Sequence, residues 1–326
     1  MPDRRRRLLV LGGALAALPA FGQQKVPRIG YLLLAPISDS PSRERQAFLD
    51  GLRELGYVPG RNVELIYRSA ESEPEFLDEV CQDLLRQKVD VIVVSGAIAT
   101  LAAKRATRSV PIVIQAVGDP VGIGAVRSLS RPEGNVTGIS FISSELAGKR
   151  VELIRELVPA AKQVAVLWDK RNANARAEAE ATQEAARHLG LASAPLALGS
   201  DAELRLAFER LRSRRPHALY VSFEGGLVAS NRSSIAQFGL SERIPVVSGW
   251  SFLTEAGGLA SYAPDIPSMF RRLASYVDRL LKGARPADLP IEQASTIELV
   301  VNARSARALG LKIPPAILAR ADRVIE

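Results

Sequence analysis

Six short polar segments in this chain each follow an apolar run, and they are where chemistry would sit. They are Ala35 to Ser40, Ser95-Gly96, Gly118-Asp119-Pro120, Asp169 to Asn174, Phe223-Glu224-Gly225 and Ser248-Gly249-Trp250. In open α/β sheets a ligand lies beyond the carboxyl ends of the strands, so these are the residues to weigh. They are small, polar and mixed in sign, which suits hydrogen bonding to a small zwitterion or polar solute. Ser95-Gly96 precedes a helix whose free N–H groups and positive dipole end could hold a carboxylate, or Ser95 simply caps that helix. Asp119 could bind an ammonium group or end a turn before Pro120. Asn172 and Asn174 either cap the Ala-rich helix after them or touch a ligand. Glu224, between a strand and two glycines, has no evident structural duty, and Trp250 offers a flat apolar face for a ring or a core residue. With Asp169 and Thr137 added, the candidate ligand-binding set is Ser95, Gly96, Asp119, Thr137, Asp169, Asn172, Glu224 and Trp250.

Catalytic signatures are missing. Gly122-Ile-Gly124-Ala-Val-Arg127 lacks the third glycine of a dinucleotide fingerprint, and there is no phosphate-loop Gly-Lys-Ser/Thr and no Gly-x-Ser-x-Gly elbow. His188 and His217, the only histidines, fall at a helix end and a strand start, away from strand carboxyl ends. No catalytic residue, metal ligand or cofactor is therefore assigned. A single cysteine, Cys81, rules out an internal disulfide.

The elements that must carry these segments are legible from Arg28 onward. Strand candidates are Ile29–Leu34, Val63–Tyr67, Val89–Val94, Ile112–Val117, Val164–Trp168, Ala218–Ser222 and Pro245–Val247, all apolar throughout, as strands covered on both faces are. Between them lie helical stripes: Phe48, Leu52 and Leu55 before Gly56; Phe76, Val80 and Leu84; and Met269 or Phe270, Leu273, Tyr276 or Val277 and Leu280 before Gly283. The fold class is α/β, with two doubly wound lobes of parallel sheet. Two turn-rich stretches, Arg131–Gly138 and Arg285–Pro290, read as passages between lobes. The expected division is 23–140 plus 249–288 for one lobe and 141–248 plus 289–326 for the other, with the strand near Gly258–Tyr262 in the first.

Ahead of all this stand a basic block, Arg4 to Arg7, an apolar run from Leu8 to Phe21, and a small-x-small site before Gln23. That layout is a cleavable signal peptide over residues 1–22, and Arg5-Arg6-Arg7-Leu8-Leu9 also fits a twin-arginine pattern. The run of about 14 residues is short of the roughly 20 that span a bilayer. Without residues 1–22 the net charge falls from +8 to +5, since four Arg and one Asp leave. The remaining Arg are interspersed with Glu and Asp, with no basic block and interleaved aromatics, so nucleic acid is not an expected partner.

The stretches Gly51–Asn62, Glu64–Glu71, Val89–Val94, Gly118–Val121, Arg131–Gly138, Glu255–Asp265, Leu281–Pro290, Ala308–Pro315 and Leu318–Asp322 together resemble bacterial ABC transporter substrate-binding proteins of the TrpX-like type. The resemblance spans nearly the whole chain after residue 22. It implies a type I periplasmic-binding fold, two lobes joined by a three-segment hinge, closing over one small-molecule ligand in the periplasm. It also implies delivery to an ABC permease in the inner membrane by a monomeric, non-enzymatic protein. An exported ligand sensor that signals to a membrane receptor would use the same lobes. Trp168-Asp-Lys-Arg-Asn172 stands where the family often has an Asn-Pro element, so the resemblance does not carry the ligand over.

Overall fold

A computed structural model describes residues 25–37, 41–140, 143–223 and 226–326. The expected signal segment and Glu224 lie outside these described residues.

The chain builds two sheets in succession. The first comprises β1 (Arg28–Leu33), β2 (Glu64–Ser69), β3 (Val91–Ser95), β4 (Ile112–Val117) and β5 (Val136–Ser140), with α1 (Arg43–Glu54), α2 (Leu77–Arg86) and α3 (Ala97–Ala106) between them. The second follows as α4 (Ala147–Leu157), β6 (Gln163–Asp169), α5 (Ala173–His188), β7 (Ala192–Leu198), α6 (Asp201–Arg214), β8 (Ala218–Val221), α7 (Gly226–Ser230), α8 (Arg232–Ser241), β9 (Val246–Ser248), α9 (Ser251–Glu255) and β10 (Ala260–Pro264). Then α10 (Ile266–Leu281) and β11 (Glu292–Gln293) return to the first lobe. The strands β12 (Ile297–Asn302) and β13 (Arg323–Ile325), with α11 (Ala303–Ala308) and α12 (Pro315–Arg320), close the second.

Among the described residues the first sheet runs β2-β1-β3-β4-β5-β11, parallel throughout. The second runs β7-β6-β8-β9-β10-β12-β13, parallel except for the antiparallel pair β10–β12. Strand order reverses beside β1 in one sheet and beside β6 in the other, which gives each lobe a switch-point crevice at its strand carboxyl ends.

Each lobe buries its strands between apolar helix faces. In the first, α10 presents Met269, Phe270, Leu273, Tyr276, Val277 and Leu280 to the core, beside Phe48 and Leu52 of α1. Gly51 permits this approach, since a Cβ there would lie 2.5 Å from the Arg271 carbonyl oxygen. The stripe expected for the second helix is displaced by one residue: Leu77, Cys81 and Leu84 are buried, while Phe76 is half exposed in the 3-10 turn that precedes α2. Leu55 likewise lies at the α1 C-cap and stays exposed, because the helix has ended before its side chain can turn inward.

Three crossings join the lobes, and two differ from expectation. The first joins β5, which ends at Ser140, to the helical turn that begins at Ser143. The second lies between Pro264 and Ile266 rather than at 248/249, because β10 pairs with β9 and β12 of the second sheet and belongs there. The third lies between Gln293 and Ile297 rather than at 288/289, since Leu289 and Ile291 are buried in first-lobe clusters and β11 pairs with β5. Arg131–Gly138 is thus an internal turn leading into β5, and Arg285–Pro290 a turn within the first lobe. The crossings are bonded to one another: Ala294 N–H donates to the Ser140 carbonyl (2.8 Å) and Asp265 N–H to the Thr296 carbonyl (3.1 Å).

Candidate functional site

A cavity of about 600 Å³ lies between the two lobes. It opens at the carboxyl ends of β1, β3 and β4 on one side and of β6, β8 and β9 on the other, so both switch-point crevices face one space. Its volume is within the range of small-molecule sites.

The first-lobe wall sets a few hydrogen-bonding groups among apolar residues. The N-terminus of α3 faces the cavity through Gly96, Ala97, Ile98 and Ala99. Gly96 is the N-cap and has no side chain to offer, so the first-turn N–H groups of this ten-residue helix receive no side-chain cap. The Gly96 backbone (φ +83°, ψ 159°) occupies a region almost confined to glycine. Ser95 does not cap the helix; its hydroxyl donates to Gln115 Oε1 at 3.0 Å. Gln115 is fully buried, and its Nε2 has no hydrogen-bond partner among the described residues. It sits where the β4–β5 register shifts between Ile114 and Val117, a bulge of the kind that re-aims a side chain. Gly138 is required opposite, since a Cβ there would lie 2.2 Å from the Ile114 carbonyl oxygen. At the mouth, Glu44 and Arg45 come from the first turn of α1, where Ser42 accepts the Arg45 N–H.

The second-lobe wall is aromatic. Phe223 and Trp250 stack with centroids 4.6 Å apart and planes 22° apart, and Phe252 tilts against Trp250 at 5.2 Å. Trp250 Nε1 is buried without a partner among the described residues, so this wall also holds an unused donor. Tyr31 and Phe270 add ring surface from the first lobe. Burial lifts the Tyr31 phenol well above its ordinary titration range, with the neighbouring Tyr67 and Glu44 adding to the effect, so it stays protonated.

Of the residues singled out from sequence, Ser95, Gly96, Asn172 and Trp250 line this cavity. Asn172 also caps α5, its side chain accepting the Asn174 N–H at 2.9 Å. Asp119, Thr137 and Asp169 are not among the lining residues. Asp119 closes its own turn by accepting the Val121 and Gly122 N–H groups, and the Thr137 hydroxyl is buried as a donor to the Leu289 carbonyl. The Asp169 carboxylate is buried and taken up by the Arg171 guanidinium and the Arg171 and Leu227 N–H groups. Sequence reasoning missed Gln115, although a lone amide inside Ile112-Val-Ile-Gln-Ala-Val was a readable signal. It also missed Tyr31 and Phe270, which read as core because their apolar bodies do serve the core.

The lobes meet around this space. Leu34 packs so closely on the second lobe that a Cβ at Gly226 would lie 2.6 Å from its Cδ2. Arg43 pairs with Glu255 across the gap at 2.7 Å, and Glu255 is held from its own side by Arg323 at 2.6 Å. Among the described residues, no group of three or more His, Cys, Asp or Glu is arranged to hold a metal ion, and no helix is long and apolar enough to cross a membrane.

Residues 34–325 match the family of ABC transporter substrate binding proteins. The chain belongs to that family. Its relatives include a tyrosine-binding protein of Clostridioides difficile, 24% identical over 291 residues, covering 89% of this chain and 82% of the relative. An ABC domain from Streptococcus pneumonia in complex with L-Trp is 28% identical, covers 92% of this chain and 99% of its own, and superposes with a TM-score of 0.85. A substrate binding protein with adhesive properties from Clostridium difficile, solved in a ligand-free open form, is 25% identical with coverage of 92% and 99%, yet superposes only at 0.66. Leu34 against Gly226 and the Arg43–Glu255 pair bring the two lobes into contact across the cleft in this structure. The protein is a solute-binding protein of the type I periplasmic-binding fold, of the class that captures a small molecule outside the cytoplasm and delivers it to an ABC transporter.

Proposed function

We propose that the cleft takes a single amino acid with an aromatic side chain. The observation that carries this reading is the pairing of walls in one cavity, unspent donors opposite a stack of rings. The uncapped start of α3, with Gln115 Nε2 beside it, suits a carboxylate, which lone-pair geometry and the helix dipole both favour there. Trp250, backed by the buried Phe223, offers a face to an aromatic ring, and Glu44 supplies a carboxylate for an ammonium group. That two relatives bind tyrosine and L-Trp supports the same class.

In this reading the segment over residues 1–22 exports the chain to the periplasm, where it works as a monomer without metal or cofactor. Capture holds the lobes closed by bridging walls that belong to different bodies, and the closed pair of faces is what the permease meets. Nothing in the cleft favours the alternative of a sensor that signals to a receptor.

The test is calorimetric titration of residues 23–326 with L-tyrosine, L-tryptophan, L-phenylalanine, L-leucine, glucose and arabinose. Binding of one or more aromatic amino acids, at least tenfold tighter than leucine, is expected. Binding of a sugar with no response to any amino acid would refute the reading.

A further inference from the structure

Beneath the aromatic wall lies an ion pair that the cleft itself never touches. Arg150 of α4 and Glu178 of α5 are both 0% exposed, with Nη1 and Oε1 2.8 Å apart. Further hydrogen bonds offset much of the cost of burying such a pair, although Arg150 Nη2 has no hydrogen-bond partner among the described residues. Here those bonds reach parts of the lobe that must keep step. Glu178 accepts the Tyr220 hydroxyl and the Phe223 N–H, the latter at 2.9 and 3.0 Å to its two oxygens. Arg150 donates to the Ser143 hydroxyl (2.9 Å) and carbonyl (3.2 Å), to the Tyr220 oxygen (3.0 Å) and to the Tyr262 carbonyl (2.8 Å). Ser143 is where the first crossing enters the second lobe, and Tyr262 lies two residues before Pro264, where the second crossing leaves it. The guanidinium also underlies the turn that carries Trp250, since a Cβ at Gly249 would lie 2.8 Å from its Cζ.

We propose that Arg150 and Glu178 are positioning residues that fix the Phe223–Trp250 wall to the first and second lobe crossings, so that ring placement and hinge placement are set together. The pair rests on the reading of this cleft as the ligand site, but its effect on the wall is measurable with no ligand present.

The experiment uses residues 23–326 with Trp168→Phe, which leaves Trp250 as the only tryptophan of the two in the chain. Two variants are compared with this parent, Glu178→Gln and the double variant Arg150→Met with Glu178→Leu. Near-ultraviolet circular dichroism without ligand, read at its long-wavelength edge where only tryptophan absorbs, reads the setting of Trp250 in the Phe223–Trp250 stack. Far-ultraviolet dichroism and melting read the fold, and calorimetry with L-tyrosine reads the cleft. In both variants the near-ultraviolet signal is expected to fall by about half while far-ultraviolet dichroism persists. Affinity should drop about tenfold, the scale of coupling within one network. The double variant should melt no lower than Glu178→Gln, because it leaves no lone charge buried. If Glu178→Gln does not fold, the double variant decides alone. Should the parent bind no amino acid, the near-ultraviolet comparison still decides. A folded double variant with parental near-ultraviolet signal overturns the proposal, whatever the cleft binds.

Discussion

Two helices in this molecule start beside the same cavity and end up serving opposite purposes. In the first lobe α3 starts after β3, and in the second α5 starts after β6; both starts border the same cavity. At α5 the side chain of Asn172 accepts the Asn174 N–H, as an ordinary cap does. At α3 the N-cap is Gly96 with positive φ, and the neighbouring hydroxyl of Ser95 is turned away to Gln115. One helix has a first-turn donor answered by a side chain; the other has no side-chain cap at all. The lesson is that a missing cap beside a cavity is as informative as a polar side chain, because backbone donors left unanswered cost free energy until a ligand answers them.

The comparison can be broken in several ways. Its largest expected effect comes from the wall opposite α3. Trp250→Ala removes one partner of the stack, and affinity for the bound amino acid should fall by about 100-fold or more, the scale of an aromatic anchor, as read by calorimetry. A smaller effect is expected on the donor side. Gln115→Leu keeps the volume but removes the unpartnered Nε2, and should weaken binding by about 10-fold to 100-fold, the size of a hydrogen bond to a charged group. Its thermal midpoint should hold or rise, because the buried amide has no partner to lose there except Ser95.

Asn172→Ala sharpens the contrast from the other side. Loss of the α5 cap should cost about 1 kcal/mol of stability, read by urea denaturation, with less than a threefold change in affinity. If the affinity loss instead matches that of Gln115→Leu, the second helix start is also a ligand contact and the contrast fails. The smallest effect concerns β12, just past the third crossing. Burial raises the titration range of the half-buried Glu298 carboxyl, with Asp265 adding to the shift and Arg323 opposing it. The folded state then holds the proton more tightly than the unfolded chain, so this contribution is full below the ordinary glutamate range and is lost as pH rises from that range through the raised range of the folded state. Glu298→Gln should therefore raise the melting temperature by about 1–2 °C at pH 7. No difference is expected below about pH 3, where both states are protonated.

Much of the architecture was readable because apolar runs and turns report it directly. β1, β4, β6 and β8 stand within a residue or two of where composition places them, since strands buried on both faces have no reason to alternate. The elements that escaped are those whose composition reports something else. β7 is an edge strand with Pro195 inside it, tolerable only where no inner neighbour needs that N–H. β12, Ile297–Asn302, sits past two prolines and runs antiparallel to β10, a pairing that the parallel reading of the sheet did not anticipate. β10 was assigned to the wrong lobe because sequence order does not say which sheet a strand joins; only pairing with β9 does.

The site was legible in part. Strand carboxyl ends gave Ser95, Gly96, Asn172 and Trp250, all of which border the cavity. They also gave Asp119 and Asp169, whose carboxylates are consumed by N–H groups and by Arg171 within their own loops. A carboxylate in a loop after a strand looks the same from sequence whether it faces a ligand or closes its own turn. Gln115 was missed because a polar residue within a strand has no local marker of direction; the bulge that aims it depends on Gly138 in the neighbouring strand.

The most direct test of the account compares an amino acid with its decarboxylated amine. L-tyrosine and tyramine share the ring and the ammonium group and differ only in the carboxylate assigned to the start of α3. Calorimetric titration of residues 23–326 should give binding of L-tyrosine and at least ~100-fold weaker binding of tyramine, the loss expected when buried donors are left unpaired. Equal affinity for the two, or tighter binding of tyramine, would contradict the central claim that the uncapped helix start holds a carboxylate.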